Sequence, residues 1–226
     1  MRKYTFLLIV LLAFFAGTTL WAQTEGRVEV GFNLGWTFSD GVSASSPVLA
    51  GDGNLYDRVD PKDSFSWGLT GEYLINPKMG IGFRFDQQQS KLDISGPAVT
   101  REIGDMKIQN YHGIFTYRFG HEDAKAQPFI QAGIGATHFG SVSFTGLNGA
   151  QLSTGGQTKF SGTIGGGVKI YATPKVGFQG IVNWTPTYIK SDSAGWWCDP
   201  FFGCYVVGSA QYANQFEMGG GVFFRF

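Results

Sequence analysis

Few residues in this chain could carry out chemistry. Three histidines, His112, His121 and His138, are the candidate general bases, and Ser64, Ser66 and Ser161 are candidate nucleophiles. Acyl transfer or hydrolysis needs a nucleophile with a base in hydrogen-bond reach. No Ser-His spacing here resembles that of a lipid-modifying enzyme, so a non-enzymatic chain is expected, with His112 as a hydrogen-bonded interior group. Gly51-Asp52-Gly53-Asn54 carries oxygen ligands without the remaining spacing of a calcium loop, and a turn is expected there. Neither a metal nor a cofactor is expected.

The two cysteines, Cys198 and Cys204, flank an Asp199-Pro200 turn signal. A secreted chain with two nearby cysteines reads as one disulfide, because the periplasm is oxidising, and no histidine lies close enough to suggest a metal pair. Trp196, Trp197, Phe201, Phe202 and Tyr205 crowd the same segment. Such rings could dock a surface partner as rigid anchors, or fold onto the lipid headgroup region and cap whatever lies beneath. The second reading is preferred and the first stays open.

Eight further charges form a balanced set: Glu29, Glu72, Asp86 and Glu217 against Arg84, Arg118, Lys169 and Arg225. What groups them is the pattern of the elements that carry them. From Gly26 onward large apolar residues recur with period two, the mark of strands. In the first run Val28, Val30, Phe32, Leu34, Trp36 and Phe38 alternate with Glu29, Gly31, Asn33, Gly35, Thr37 and Ser39. Comparable runs follow at about 64–73, 79–86, 110–119, 130–137, 160–170, 176–188 and 215–226. No Asp, Glu, Lys or Arg interrupts the apolar face of any run, and all eight charges fall on the opposite face.

Long polar stretches at about 40–63, 90–107, 140–157 and 191–210 alternate with short turns at 76–78, 120–127 and 173–175. Strict long-short alternation is the build of a transmembrane barrel, with short periplasmic turns and longer external loops. The volume of the side chains decides which face is inside. An eight-stranded barrel leaves an interior that side chains just fill; Gly, Ser, Thr, Asn and Gln fit it, and dozens of aromatic and aliphatic groups do not. The expected fold is therefore an all-β, eight-stranded antiparallel up-and-down transmembrane β-barrel with its large residues toward lipid. Trp36, Phe38, Phe65, Trp67, Trp184 and Tyr188 at one end, and Tyr73, Tyr117, Phe119 and Phe226 at the other, read as aromatic girdles. The eight charges then form a lumen network. A salt-bridged plug is expected and a gated pore is the alternative, since interior charges are tolerated only when paired.

The composition agrees. Gly is abundant at 34 residues and only 15% of residues are charged, against about 25% in soluble domains. The formal net charge is zero, which gives no basic surface for nucleic acid. Arg2 and Lys3, the apolar run from Phe6 to Ala16 and the small residues up to Ala22 read as a signal peptide over residues 1–22, cleaved after Ala22, leaving 23–226 as the barrel domain of a bacterial outer-membrane protein.

Two stretches carry a family resemblance: Gly165-Gly166-Gly167-Val168-Lys169-Ile170-Tyr171 with Thr173-Pro174-Lys175-Val176-Gly177-Phe178, and the ending from Phe216 to Phe226. With them the chain resembles the OmpA-like outer-membrane β-barrel proteins. That resemblance implies that Phe216, Met218, Val222, Phe224 and Phe226 form the signal read by the barrel-assembly machinery. It also implies a small barrel without the peptidoglycan-binding domain some relatives append. The expected partners are outer-membrane lipid, that machinery during biogenesis, and an extracellular ligand or surface partner of unstated kind. The expected role is structural or surface-interacting, with a narrow channel for small solutes as the alternative.

Overall fold

The computed structural model describes residues 27–49, 54–121, 124–145, 151–153, 156–189, 197–199, 203–205 and 212–226. The expected signal peptide, the Gly51-Asp52-Gly53 turn and Trp196, Phe201 and Phe202 lie outside them. In chain order the strands are β1 (Val28–Ser39), β2 (Val42–Leu49), β3 (Leu55–Pro61), β4 (Ser64–Asn76), β5 (Met79–Ser95), β6 (Thr100–Arg118), β7 (Ala126–Phe139), β8 (Ser143–Thr145), β9 (Gln151–Ser153), β10 (Gln157–Tyr171), β11 (Val176–Tyr188), β12 (Trp197–Asp199), β13 (Gly203–Tyr205) and β14 (Tyr212–Arg225).

Eight of these strands, β1, β4, β5, β6, β7, β10, β11 and β14, close into an antiparallel ring in which each pairs with its neighbours in that order. The first and last strands seal it, from Glu29 opposite Arg225 to Ser39 opposite Gln215. Closure follows from the solvent: lipid offers backbone N–H and C=O groups no partner, so every one must be paired within the wall. The turns are cut where the sequence marks them. The Asn76 side chain accepts from the backbone N–H of Lys78 and Met79 at 2.9 and 2.8 Å, and Thr173 Oγ1 accepts from Val176 N at 3.0 Å.

The wall is apolar outside and polar inside, as the alternation requires. Phe32, Leu34, Trp36, Ile81, Phe83, Phe115, Phe178 and Met218 are exposed, while Asn33, Thr37, Thr116, Gln131, Thr163 and Asn183 are buried. Narrow curvature also explains interior glycines. A Cβ on Gly133 would lie 2.4 Å from the Gly113 carbonyl oxygen, so any side chain there would push neighbouring strands apart.

All four stretches expected to be long polar connections hold paired strands, and those at 40–63 and 90–107 join the barrel sheet, whereas β8 with β9 and β12 with β13 form small separate sheets. Strands β5 and β6 run on past the barrel to Ser95 and Thr100 as one hairpin, closed by the Gly96 N–H on the Val99 carbonyl at 2.8 Å. Strand β3 pairs with β5 there, and β2 with β3. Alternation continues in this extension, but inverted. Leu92, Met106 and Ile108 take the inward positions that Asp86, Gln88 and Asn110 hold lower down, while Lys91, Asp105 and Lys107 face out. The inversion marks where lipid ends. Beyond it the outer face meets water and the inside becomes an ordinary apolar core of Leu92, Met106, Ile108, Phe139 and Val142. Counting charges in this segment suggested a loop; the face each charge occupies indicates a strand.

Candidate functional site

The lumen holds the charges singled out from the sequence, and the strand stagger divides them into two sets. At the short-turn end Glu29 on β1 and Glu72 on β4 are direct cross-strand partners. Like charges facing each other repel, and three bases offset them. Arg118 Nη2 lies 2.8 Å from Glu29 Oε2 and 2.7 Å from Glu72 Oε1. Lys169 Nζ bridges the same two carboxylates. Arg225, opposite Glu29 on β14, reaches Glu29 Oε1 at 2.6 Å. Its guanidinium also stacks 4.7 Å from the Tyr171 ring. Lys169 sits 5.3 and 5.6 Å from the inward rings of Phe223 and Phe129, so the cation is held by rings as well as carboxylates.

The second set lies about two turns of alternation further out. Arg84 binds Asp86 through two hydrogen bonds, Nε to Oδ2 at 2.6 Å and Nη2 to Oδ1 at 2.9 Å. Its Nη2 also donates to Glu217 Oε2 at 2.7 Å. Turned with its oxygen toward the guanidinium, the Asn183 amide accepts from Arg84 Nη1 at 2.6 Å. The inner set thus carries three bases on two acids and the outer set one base on two acids. The balance of four against four is met only across both levels.

Uncharged hydrogen bonds fill the intervening space. His112 Nε2 lies 2.9 Å from Ser161 Oγ, and Thr137 Oγ1 lies 2.7 Å from Asn110 Oδ1 and 3.0 Å from Ser161 Oγ. Gln179 donates to Asn33 at 2.7 Å, and Gln215 to Gln88 at 3.0 Å. Above this belt sit the apolar core of the extension and a second small cluster, Val42, Ile189 and Ala213. Lumen-facing side chains are buried at each of these levels.

The sequence therefore places all eight charges inside, and the structure brings seven of them into burial with Arg225 at the rim. The sequence does not pair them. It also passes over the inward apolar residues Leu74, Ile114, Phe129, Ile181 and Phe223, all buried. Their signal was available: each occupies a lumen-parity position, Ile181 between Gln179 and Asn183 and Phe223 between Val222 and Phe224. The Ser161–His112 contact was missed too, because 49 residues separate two groups that lie close only across the lumen.

At the far end, β12 and β13 pair with Cys198 opposite Cys204 in the backbone register. The cysteine side chains and the aromatic side chains around them, Trp197 and Tyr205 included, lie outside the described residues.

The family model for the outer membrane protein beta-barrel domain matches residues 6–195. The chain belongs to that family. Its place is accordingly the bacterial outer membrane, crossed by strands. Among solved structures it is similar to Neisserial surface protein A, at 16% identity and TM-score 0.55, over 88% of this chain and 97% of that one. It is also similar to the outer membrane protein OprG from Pseudomonas aeruginosa, at 15% identity and TM-score 0.61, over 89% and 96%. Likeness at this level shows a shared barrel and no more. No curated protein matches.

Proposed function

We propose that this outer-membrane protein is a non-conducting, non-enzymatic frame whose role is structural or surface-interacting and whose specific contacts are made by its extracellular side. The observation that carries the reading is the filled lumen: two ion-paired levels, a hydrogen-bonded belt and two apolar clusters stacked from the short-turn end outward. A narrow solute channel, the alternative, would need those levels to open together. Family membership and a sheet raised above the lipid by β2, β3, β5 and β6 support a display role. The test replaces Trp196–Tyr205 by a Gly-Ser linker in cells that carry the protein. With an intact, heat-modifiable barrel, a loss of adhesion to other surfaces would assign those contacts to the fourth connection, and unchanged adhesion would favour rings that only fold onto the headgroup region.

Cys198 and Cys204 form a disulfide in this proposal, supported by their opposed register and by an oxidising compartment. Two free thiols on purified non-reduced protein would refute it. Phe216, Met218, Phe224 and Phe226 are exposed on the lipid face and, with Val222, form the assembly signal; deleting Phe226 is expected to lower the amount of assembled barrel. Maturation cuts after Ala22, which an intact mass beginning at Gln23 would support and a mass retaining the first residues would contradict. The Ser161–His112 pair is within bonding reach, yet both groups are buried inside the barrel, where a lipid ester has no entry. Phospholipid hydrolysis that disappears in His112→Ala would overturn the non-enzymatic reading.

A further inference from the structure

On the lipid face of β6, β7 and β10 the wall is dented. Gly113, Ala132, Ile134, Gly162, Ile164 and Pro186 border an apolar hollow of about 660 Å³, within the range of small-ligand sites. The wall itself does not impose it. A Cβ on Gly113 would lie 3.8 Å from its nearest atom and one on Gly162 3.6 Å, ordinary contact distances, in contrast to the 2.4 Å at inward Gly133. Ile134, between the two glycines in register, is left 69% exposed.

The hollow has a polar end. Along the same three strands the next outward-facing row is Tyr111, Ala136 and Phe160, and the row after it is Gln109, His138 and Thr158. That row stands about 13 Å from the hollow along the strands, at about 3.3 Å per residue. His138 Nδ1 is held on Thr158 Oγ1 at 2.9 Å, and Gln109 donates to Gln87 at 2.9 Å. One position beyond, Lys107 is exposed and makes no ion pair among the described residues. The nearest acid on that face, Asp105, lies two residues along the same strand and opposite Lys91, whose ammonium is 2.6 Å from Glu102.

We propose that this groove holds one phosphorylated, multiply acylated lipid of the outer leaflet, of the lipid A type. An acyl chain fills the hollow, and a headgroup phosphate is held by Lys107 with His138 and Gln109. The charge decides the occupant. A base that makes no ion pair among the described residues, set just above an aromatic row at the extracellular end, matches an anionic phosphate there. Lipids of the inner leaflet carry their phosphates at the opposite end of the wall.

Native mass spectrometry of the full chain in detergent tests this with added hexa-acyl bis-phosphorylated lipid A, phosphatidylglycerol and phosphatidylethanolamine. One lipid A is expected to stay bound under activation that strips both phospholipids. Lys107→Ser should lower its retention about tenfold, the effect of one hydrogen bond to a charged group, and Gly113→Leu with Gly162→Leu should do the same by filling the hollow. Heat-modifiability on a gel confirms that each variant is folded. Equal retention of all three lipids, preference for phosphatidylglycerol, or retention unchanged in the folded variants would overturn the proposal.

Discussion

At the scale of single residues, the lumen shows why a buried charge cannot be judged alone. Glu29 carries contacts from Arg118, Lys169 and Arg225, so removing its charge leaves Arg118 and Lys169 to share Glu72 and takes from Arg225 its carboxylate partner. Breaking a buried set from one side typically costs about 3 to 5 kcal/mol, whereas replacing the whole set by apolar groups can be neutral. Glu29→Gln is therefore expected to lower unfolding stability in vesicles by that amount, with partial recovery when Lys169→Met is added. A denaturation midpoint that does not move would contradict the pairing. Phe223 packs against the same level, its ring beside the Lys169 ammonium, and Phe223→Ala is expected to cost about 3 kcal/mol or more through the cavity it leaves; a loss under about 1 kcal/mol would show that the short-turn end is not packed as described.

At the scale of elements, the eight strands and their lipid face were legible because period two survives from Val28 to Phe226, and because no charge breaks the apolar face. The lumen charges followed from parity alone. Their division into two levels did not, since it depends on strand stagger, which no single run records. The extension of β5 and β6 was missed for a different reason. Residues 90–92 and 105–108 carry the barrel's alternation onward with the sense reversed where lipid gives way to water, and a bulge at Leu92–Asp93 interrupts it nearer the tip. If Leu92 and Ile108 are the core of that extension, Ile108→Asp should open the β5–β6 hairpin to protease above the membrane while the barrel keeps its heat-modifiable folded form; uniform protection would contradict this. The outer face of the hairpin is tied by Glu102, whose carboxyl is held below the usual range by the Lys91 and Lys62 ammonium groups bonded to it. A depressed carboxyl lends stability above its unfolded value and loses it as pH falls. Hairpin protection should thus be flat from neutrality and weaken only below the ordinary Glu value of 4.5. The pair is exposed, so the change is small.

At the scale of the whole molecule, two solvents and one period account for the architecture. In lipid the large side chains turn out and the polar ones fill a narrow interior; above lipid the arrangement reverses around an apolar core. The central claim is that the lumen is sealed from the Glu29 level to the Leu92 level. Single-channel recording on the full chain in planar bilayers tests it most directly. Current is expected to stay at baseline for the wild type and for Glu217→Gln, since the other levels remain filled. Sustained conductance steps from the wild-type protein would contradict it.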